Sequence, residues 1–473
     1  MAQFSLKPTS RYRWQELGLL ILPFLLLLLA TIQLLVIHAN ADLHATLKTN
    51  NLPTIYGLIP IFGLIGLLLV ANITLSIFFP KSDQVLLPLV GLLSGIGIVM
   101  ATRLGPDLVS TQAPEGIPEL GSRQLTWVLA GLVLCLATVF LLRNINLLFR
   151  YKYTWIFVSL LVLLPTIISG IISFKTNAPT RDVLGFGPFK LQPSELFKII
   201  IIVFFAGYLG ENREMISQGY LRIGFLRLPP LRQLGPLLMM LGLSLIIFLV
   251  VRDLGLALLI YSLFLCMVYL TSGKLTYVIA SLAIFALLAM AGYSVLGYVR
   301  ERFAILSIDM VNWSATSDEQ YQNVVGAGQI VQGLIALSSG GIFGSGLGLG
   351  HPAGPGFVPI VESDMILTGL GEELGLAGIF AIIGLYLLII YRGYRIAIES
   401  PDPMSKLLAA GLTSIFAIQT LIISAGNLKF MPLTGITLPF LSYGGSSILV
   451  NYIIIGILLR ISHNTAVERE GTS

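Results

Sequence analysis

The stretch Val361–Ile390, VESDMILTGLGEELGLAGIFAIIGLYLLII, decides how this chain is read. Four carboxylates, Glu362, Asp364, Glu372 and Glu373, stand at the head of an apolar run. About 20 such residues cross a bilayer. Carboxylates beside hydrocarbon are costly and mark function where they occur. The stretch is therefore a membrane helix with acids at its mouth, and the surrounding chain has to explain those acids.

Eleven further runs are long enough to span: 17–38, 55–79, 84–102, 124–142, 153–172, 194–210, 233–251, 254–271, 275–297, 405–427 and 443–461, beside 364–391. Of 473 residues, 56% are hydrophobic and 11% charged, and mean hydropathy is +0.90. Soluble domains carry about 25% charged residues. The fold class expected is an all-α polytopic membrane protein of about twelve transmembrane helices. The first run has no small-residue cleavage site and a second follows closely, so it reads as a retained helix rather than a signal peptide.

Most of the 28 Lys and Arg residues fall in loops and tails on the N-terminal side of the membrane. The positive-inside bias then places both termini in the cytoplasm. It also accounts for the net charge of +5 without nucleic acid. Cys135 and Cys266 lie inside predicted spans, which leaves no disulfide framework. The four His residues show no ligand spacing, so no metal site is assigned.

Inner loops are short and lack a nucleotide motif. The largest polar segment, 298–363, lies outside, between spans nine and ten. A loop of that size is normally functional. Within it Val324, Val325, Gln329, Val331 and Leu334 approach helical spacing, predicting a short surface helix stopped by SSGG. The tract GGIFGSGLGLG (340–350) must be irregular. It lacks GK[ST] and so is no phosphate loop; its glycines permit close backbone approach.

Asp364 has no cation within four residues and sits where the long loop enters a helix. It would serve as a cap or as a base at the bilayer's outer face. Glu372 and Glu373 follow about 12–13 Å further along a continuous helix. At that depth they need partners, and a structural or cavity-shaping role is expected for them. In LQPSELFK, Pro193 suits a helix start and Ser194 and Glu195 its first turn. Glu195 and Lys198 share a face. They form a self-neutralising pair, or Lys198 reaches a cavity and binds an anion. VRDLG puts Arg252 and Asp253 in a tight outer turn. Arg252, like Arg302 in YVRERF, would hold a phosphate or snorkel. In LPFLSYGGSS, Ser446 and Ser447 open the final span, where free N–H groups make an anion site. An outer face with one lone carboxylate, several cations and free helix N-termini suits a lipid-linked phosphate.

Four motifs occur in order: QPSELFK (192–198), RDLG (252–255), GGIFGSGLGLG with VP and SDMILTGLGEELG (340–375), and LPFLSYGGSS (438–447). Together they resemble the SEDS family of FtsW, RodA and SpoVE proteins over residues 84–461. The resemblance implies a ten-helix core, with residues 1–80 adding two N-terminal helices and 462–473 a cytoplasmic tail. GIGIVMATRL and QLTW resemble members that carry such an extension. It further implies a bacterial peptidoglycan glycosyltransferase of the cytoplasmic membrane. Such an enzyme polymerises lipid II at the outer face, in cell division or elongation, beside a class B penicillin-binding protein.

The family's essential acid falls on Asp364. Ser363 replaces the usual Thr, Glu362 a common His and Met365 a common Phe. The loop PTRDVLGFGPF lacks the family's Arg-Trp pair, and no role is carried to it. Asp364 is thus the catalytic candidate. Lys198, Glu195, Arg252, Arg302, Ser446 and Ser447 are substrate-binding candidates, and Asp253, Glu372 and Glu373 structural or cavity residues. No organic cofactor is implied; a divalent cation, Mg or Mn, is a candidate for the leaving group. The rival reading is a precursor flippase or other transporter. That reading wants its charges near the midplane, and Glu195, Lys198, Glu372 and Glu373 are expected deeper than Asp364.

Overall fold

The computed structural model describes residues 12–40, 59–108, 117, 119–176, 184–186, 189–213, 221–223, 226–228, 242, 253–307, 326–352 and 358–472. Among them are eleven helices long and apolar enough to cross a membrane. The predicted span 233–251 lies outside the described residues. So do Arg252 and the loop residues Val324 and Val325.

The helices are α1 (Trp14–Asn40), α2 (Ile59–Phe78), α3 (Leu86–Leu104), α4 (Leu120–Leu141), α5 (Asn146–Arg150), α6 (Lys152–Thr176) and α7 (Pro193–Glu211). They continue with α8 (Leu254–Ser272), α9 (Leu275–Val295), α10 (Gly297–Ala304), α11 (Ala327–Gly340), α12 (Ile366–Glu399), α13 (Pro403–Asn427) and α14 (Gly445–Thr472). Two small antiparallel hairpins, 184–191 and 221–228, supplement the all-helical bundle outside its spans. The segment predicted as the tail from 462 is helical, since α14 runs on to Thr472.

Capping chemistry sets several boundaries. Asp253 accepts Leu256 N at 2.9 Å and opens α8, and Gly273 closes it in the left-handed region. Asp402 accepts Ser405 N at 2.9 Å and opens α13 after a two-residue turn. Pro193 occupies the first turn of α7, where its missing N–H costs nothing.

α3, α7, α13 and α14 are buried over most of their length and form the centre. α4 packs on α14, α12 on α13 and α11, and α6 and α8 flank α7 and α13. α1 and α2 lean on α3 and α4 from outside.

Two departures from regular helix position the site. α12 is broken at Gly375 (φ 69°, ψ −172°). The glycine tract inserts there and satisfies the backbone freed by the break. Ser345 N and Gly346 N donate to Glu372 O and Glu373 O at 2.9 and 3.0 Å. Leu376 N and Ala377 N donate to Gly341 O and Ile342 O, both at 3.0 Å. A glycine is required at 375, since a Cβ would lie 2.6 Å from Ile342 O.

The second departure is the non-helical segment 428–444, which dips into the bundle between α13 and α14. Irregular backbone at membrane depth survives only where protein satisfies it. Tyr386 OH donates to Pro439 O at 2.5 Å, Gln419 Nε2 to Thr437 O at 2.6 Å and Gln124 Nε2 to Ser442 O at 3.2 Å. Leu441 O lies against Gly97, where a Cβ would approach it to 2.6 Å. Gly97 is seven residues, about 10 Å, inside the end of α3.

Candidate active site

The segment bearing Asp364 is tied to this dip. Tyr443 N donates to Glu362 O at 2.8 Å, and Ser442 Oγ donates to Ser363 O. α12 begins only at Ile366, with Met365 in the cap position and no side-chain cap. Asp364 therefore does not cap its helix, and its carboxylate is left for other work. Ser363 Oγ donates to Asp364 Oδ1 at 3.1 Å.

Burial pushes the Asp364 carboxyl above the ordinary aspartate range. Its own backbone amide, Ser363, Gln329 and the Arg302 guanidinium offset part of that. Gln329 comes from α11, and its side chain reaches the Asp364 carboxyl. Burial likewise raises the neighbouring Glu362, and the Asp364 charge adds to the effect.

Arg302, at the end of α10, donates to Leu433 O at 2.7 Å. It acts electrostatically on both Asp364 and Asp253. Asp253 is raised chiefly by burial. The Leu256 amide and Arg302 work against that, and Glu195 reinforces it. Asp253, Glu195 and Lys198 line one small cavity with Gln192, Ser194 and Thr437. Its accessible space of about 20 Å³ suits one water-sized group. Lys198 Nζ lies 2.7 Å from Glu195 Oε2 and donates to Gln419 Oε1 at 3.2 Å, all of it buried. The pair is self-neutralising, and it borders a small cavity. A polar track thus runs from Asp364 through Arg302 and Asp253 to Glu195 and Lys198.

The hydroxyls of Ser446 and Ser447 are engaged within the protein. Ser446 Oγ accepts Gln192 N at 2.9 Å, and Ser447 Oγ accepts Thr437 Oγ1 at 2.8 Å. The Trp127 ring packs directly on Gly445 at the start of α14. Both hydroxyls stitch α14 to α7 and to the dipping segment.

The break at Gly375 falls beyond Glu372 and Glu373, so the helix that starts at Ile366 carries both acids without interruption. Glu373 Oε1 lies 3.2 Å from Arg103 Nε, in the last turn of α3, and Glu373 Oε2 accepts Gly348 N at 3.1 Å. Arg103 also donates to Gly350 O at 2.8 Å and pairs with Asp107. Glu372 Oε1 accepts His351 N at 2.7 Å. Both acids anchor the glycine tract, in keeping with the structural role expected of them. Glu195, in the first turn of α7, also lies near the helix end. Asp364, Arg302, Asp253, Glu195 and Lys198 gather at one end of the bundle and in its dip.

Sequence reading missed Gln329, Gln419 and Arg103. Gln329 left a faint signal, as a polar residue within the apolar stripe of the loop helix. Arg103 and Gln419 left none, because their partners are distant in the chain. Among the described residues no three His, Cys, Asp or Glu side chains gather closely enough to hold a metal ion.

Residues 83–467 match the FtsW/RodA/SpoVE family of cell cycle proteins. The chain is 37% identical over 434 residues to a peptidoglycan glycosyltransferase RodA of Mycobacterium tuberculosis, covering 91% of this chain and 87% of that one. It is 32% identical over 380 residues to a probable peptidoglycan glycosyltransferase FtsW of Trichlorobacter lovleyi, covering 80% and 93%. Among solved structures, a chain from a peptidoglycan synthase complex that coordinates polymerization and crosslinking aligns with a TM-score of 0.61 at 24% identity, covering 81% and 98%. Thermus thermophilus RodA aligns at 0.54 and 22%, covering 81% and 97%. These two likenesses establish the shared fold.

Fold and comparisons define a multi-pass membrane enzyme built as a helical bundle. The chain belongs to the FtsW/RodA/SpoVE family, and its activity is that of a peptidoglycan glycosyltransferase. The family match begins at residue 83, leaving α1 and α2 outside it.

Proposed function

We propose that Asp364 is the general base of lipid II polymerisation. The observation that carries this is a half-buried carboxylate that caps no helix and faces a polar track. Asp364 accepts the proton of the GlcNAc 4-hydroxyl of an acceptor lipid II. That oxygen attacks the anomeric carbon of a MurNAc on a second molecule. The bond from that carbon to the pyrophosphate oxygen breaks, and undecaprenyl pyrophosphate departs with the electron pair. Attack from the opposite face inverts the centre and gives a β-linkage.

Arg302 and Lys198, with Arg252 from outside the described residues, are the cations for the leaving charge. Asp253 and Glu195 hold them in place. A divalent cation, Mg²⁺ or Mn²⁺, would enter as a companion of the pyrophosphate substrate. The Lys/Arg bias supports an outward-facing Asp364 end and cytoplasmic termini. The partner is a class B penicillin-binding protein, supplying transpeptidation and activation, in division or in elongation.

Incubating the purified protein and that partner with labelled lipid II tests the assignment. Glycan chains form with the parent and not with Asp364→Ala. Normal polymerisation by Asp364→Ala overturns it, and transbilayer movement of lipid II without chains would mark a flippase.

A further inference from the structure

At the end of the bundle opposite Asp364 lies a cavity of about 470 Å³. It is enclosed by the start of α1, the turn after α2 and the ends of α12 and α14. Lys81, Arg392, Arg395 and Arg469 line it, balanced by Asp83, Glu399 and Glu470. Arg392 Nη2 donates to Asp83 Oδ2 at 2.6 Å, and that pair is largely buried. The rest are exposed: Lys81 pairs with Glu470, and Arg395 and Arg469 share Glu399 at 2.8 and 3.7 Å. Exposed ion pairs contribute little and rearrange readily. Three cations served by two carboxylates leave the lining one positive charge in excess.

Two further observations point to a ligand. Arg392 Nε and Gln84 Oε1, on residues lining the cavity, are buried with no hydrogen-bond partner among the described residues. One is a donor suited to a phosphate oxygen, the other an acceptor suited to a hydroxyl. The cavity also opens sideways. Leu19 on its rim is exposed, and Leu22, Leu26 and Leu29 continue an exposed apolar track along α1 at helical spacing. Trp14, the first residue of α1, is exposed beside it, as aromatic residues are at headgroup level. The features together describe a monoanionic head with a hydroxyl, attached to an apolar tail.

We propose that this cavity binds the phosphodiester headgroup of an anionic glycerophospholipid such as phosphatidylglycerol. Lys81, Arg395, Arg469 and Arg392 Nε hold the phosphate, Gln84 receives a headgroup hydroxyl, and an acyl chain lies on the α1 track. Basic pockets between membrane helices recognise anionic headgroups in this way.

The test uses the purified full chain in detergent, titrated with phosphatidylglycerol, phosphatidylcholine or soluble glycerol phosphate. Native mass spectrometry counts bound lipid and thermal melting gives affinity. The variant is Arg395→Gln with Arg469→Gln; both side chains are exposed and far from Asp364, so folding and polymerisation in detergent stay at the parent level. Phosphatidylglycerol should bind the parent more tightly than phosphatidylcholine. Each lost charge weakens it roughly fivefold, about thirtyfold for both. Equal binding of the two lipids, or unchanged phosphatidylglycerol binding by the variant, overturns the proposal. Stabilisation by glycerol phosphate matching that of phosphatidylglycerol assigns the cavity to soluble phosphate esters and overturns the lipid reading.

Discussion

Asp364 is the residue on which sequence and structure meet most directly. A lone acid at a loop-to-helix junction is legible in sequence as unusual, and the family resemblance gives it a role. Its surroundings were not legible, since Gln329, Arg302 and Ser442 come from three other segments. Two predictions follow from those surroundings. Asp364→Asn keeps the shape and removes the base, so polymerisation should fall by about 10²–10⁴ while the melting temperature is held or rises. The sign comes from burial: a carboxyl raised in the folded state loses stability as pH climbs through that raised value. An uncharged Asn escapes that loss. A variant that melts well below the parent would point to a structural role instead. The second prediction concerns pH. Only the ionised carboxylate accepts a proton, so activity should fall as pH drops through a midpoint above the usual aspartate range. Arg302→Gln removes a cation that lowers this midpoint, and the acid limb of the rate profile should move to higher pH. An unmoved limb would separate Arg302 from the base.

At the scale of elements, the eleven described spans were legible because the length of an apolar run alone sets them. The break in α12 was not. GLGEELGLAG reads as helix locally, and only the glycine tract about thirty residues upstream, docked against it, makes the break favourable. Gly375 occupies a backbone region essentially closed to other residues. Gly375→Ala should therefore destabilise by at least about 1–3 kcal/mol. Glu373→Ala leaves Arg103 buried against Asp107 alone and should cost about 3–5 kcal/mol. Thermal melts measure both. A Glu373→Ala protein that melts like the parent would show that Asp107 suffices for Arg103.

At the scale of the whole molecule, α1 touches the core at both ends. At the Asp364 end Gln33 Nε2 donates to Leu347 O at 3.3 Å, and Leu34 packs on Gly348 of the glycine tract. At the other end Arg13, fully buried, pairs with Glu16 and donates to Ser82 Oγ at 2.5 Å and to Asp83 O at 2.5 Å. Asn72 Nδ2 of α2 donates to Glu16 Oε1 at 2.8 Å, and Asp83 receives Arg392 of α12. The two added helices are thus wired into the core through one buried polar network, which apolar periodicity could not foretell. Removing one member strands the others. Arg13→Ala should destabilise the whole chain by about 3–5 kcal/mol. Arg13→Ala with Glu16→Ala should cost less than the sum of the single changes, because the pair leaves together. Polymerisation per folded molecule should stay at the parent level, since the network lies opposite Asp364. Melting of the four proteins, with activity normalised to folded protein, decides the matter. Additive losses would mean that Arg13 and Glu16 act separately. A fall in specific activity would mean that the N-terminal helices reach the site through the glycine tract they support.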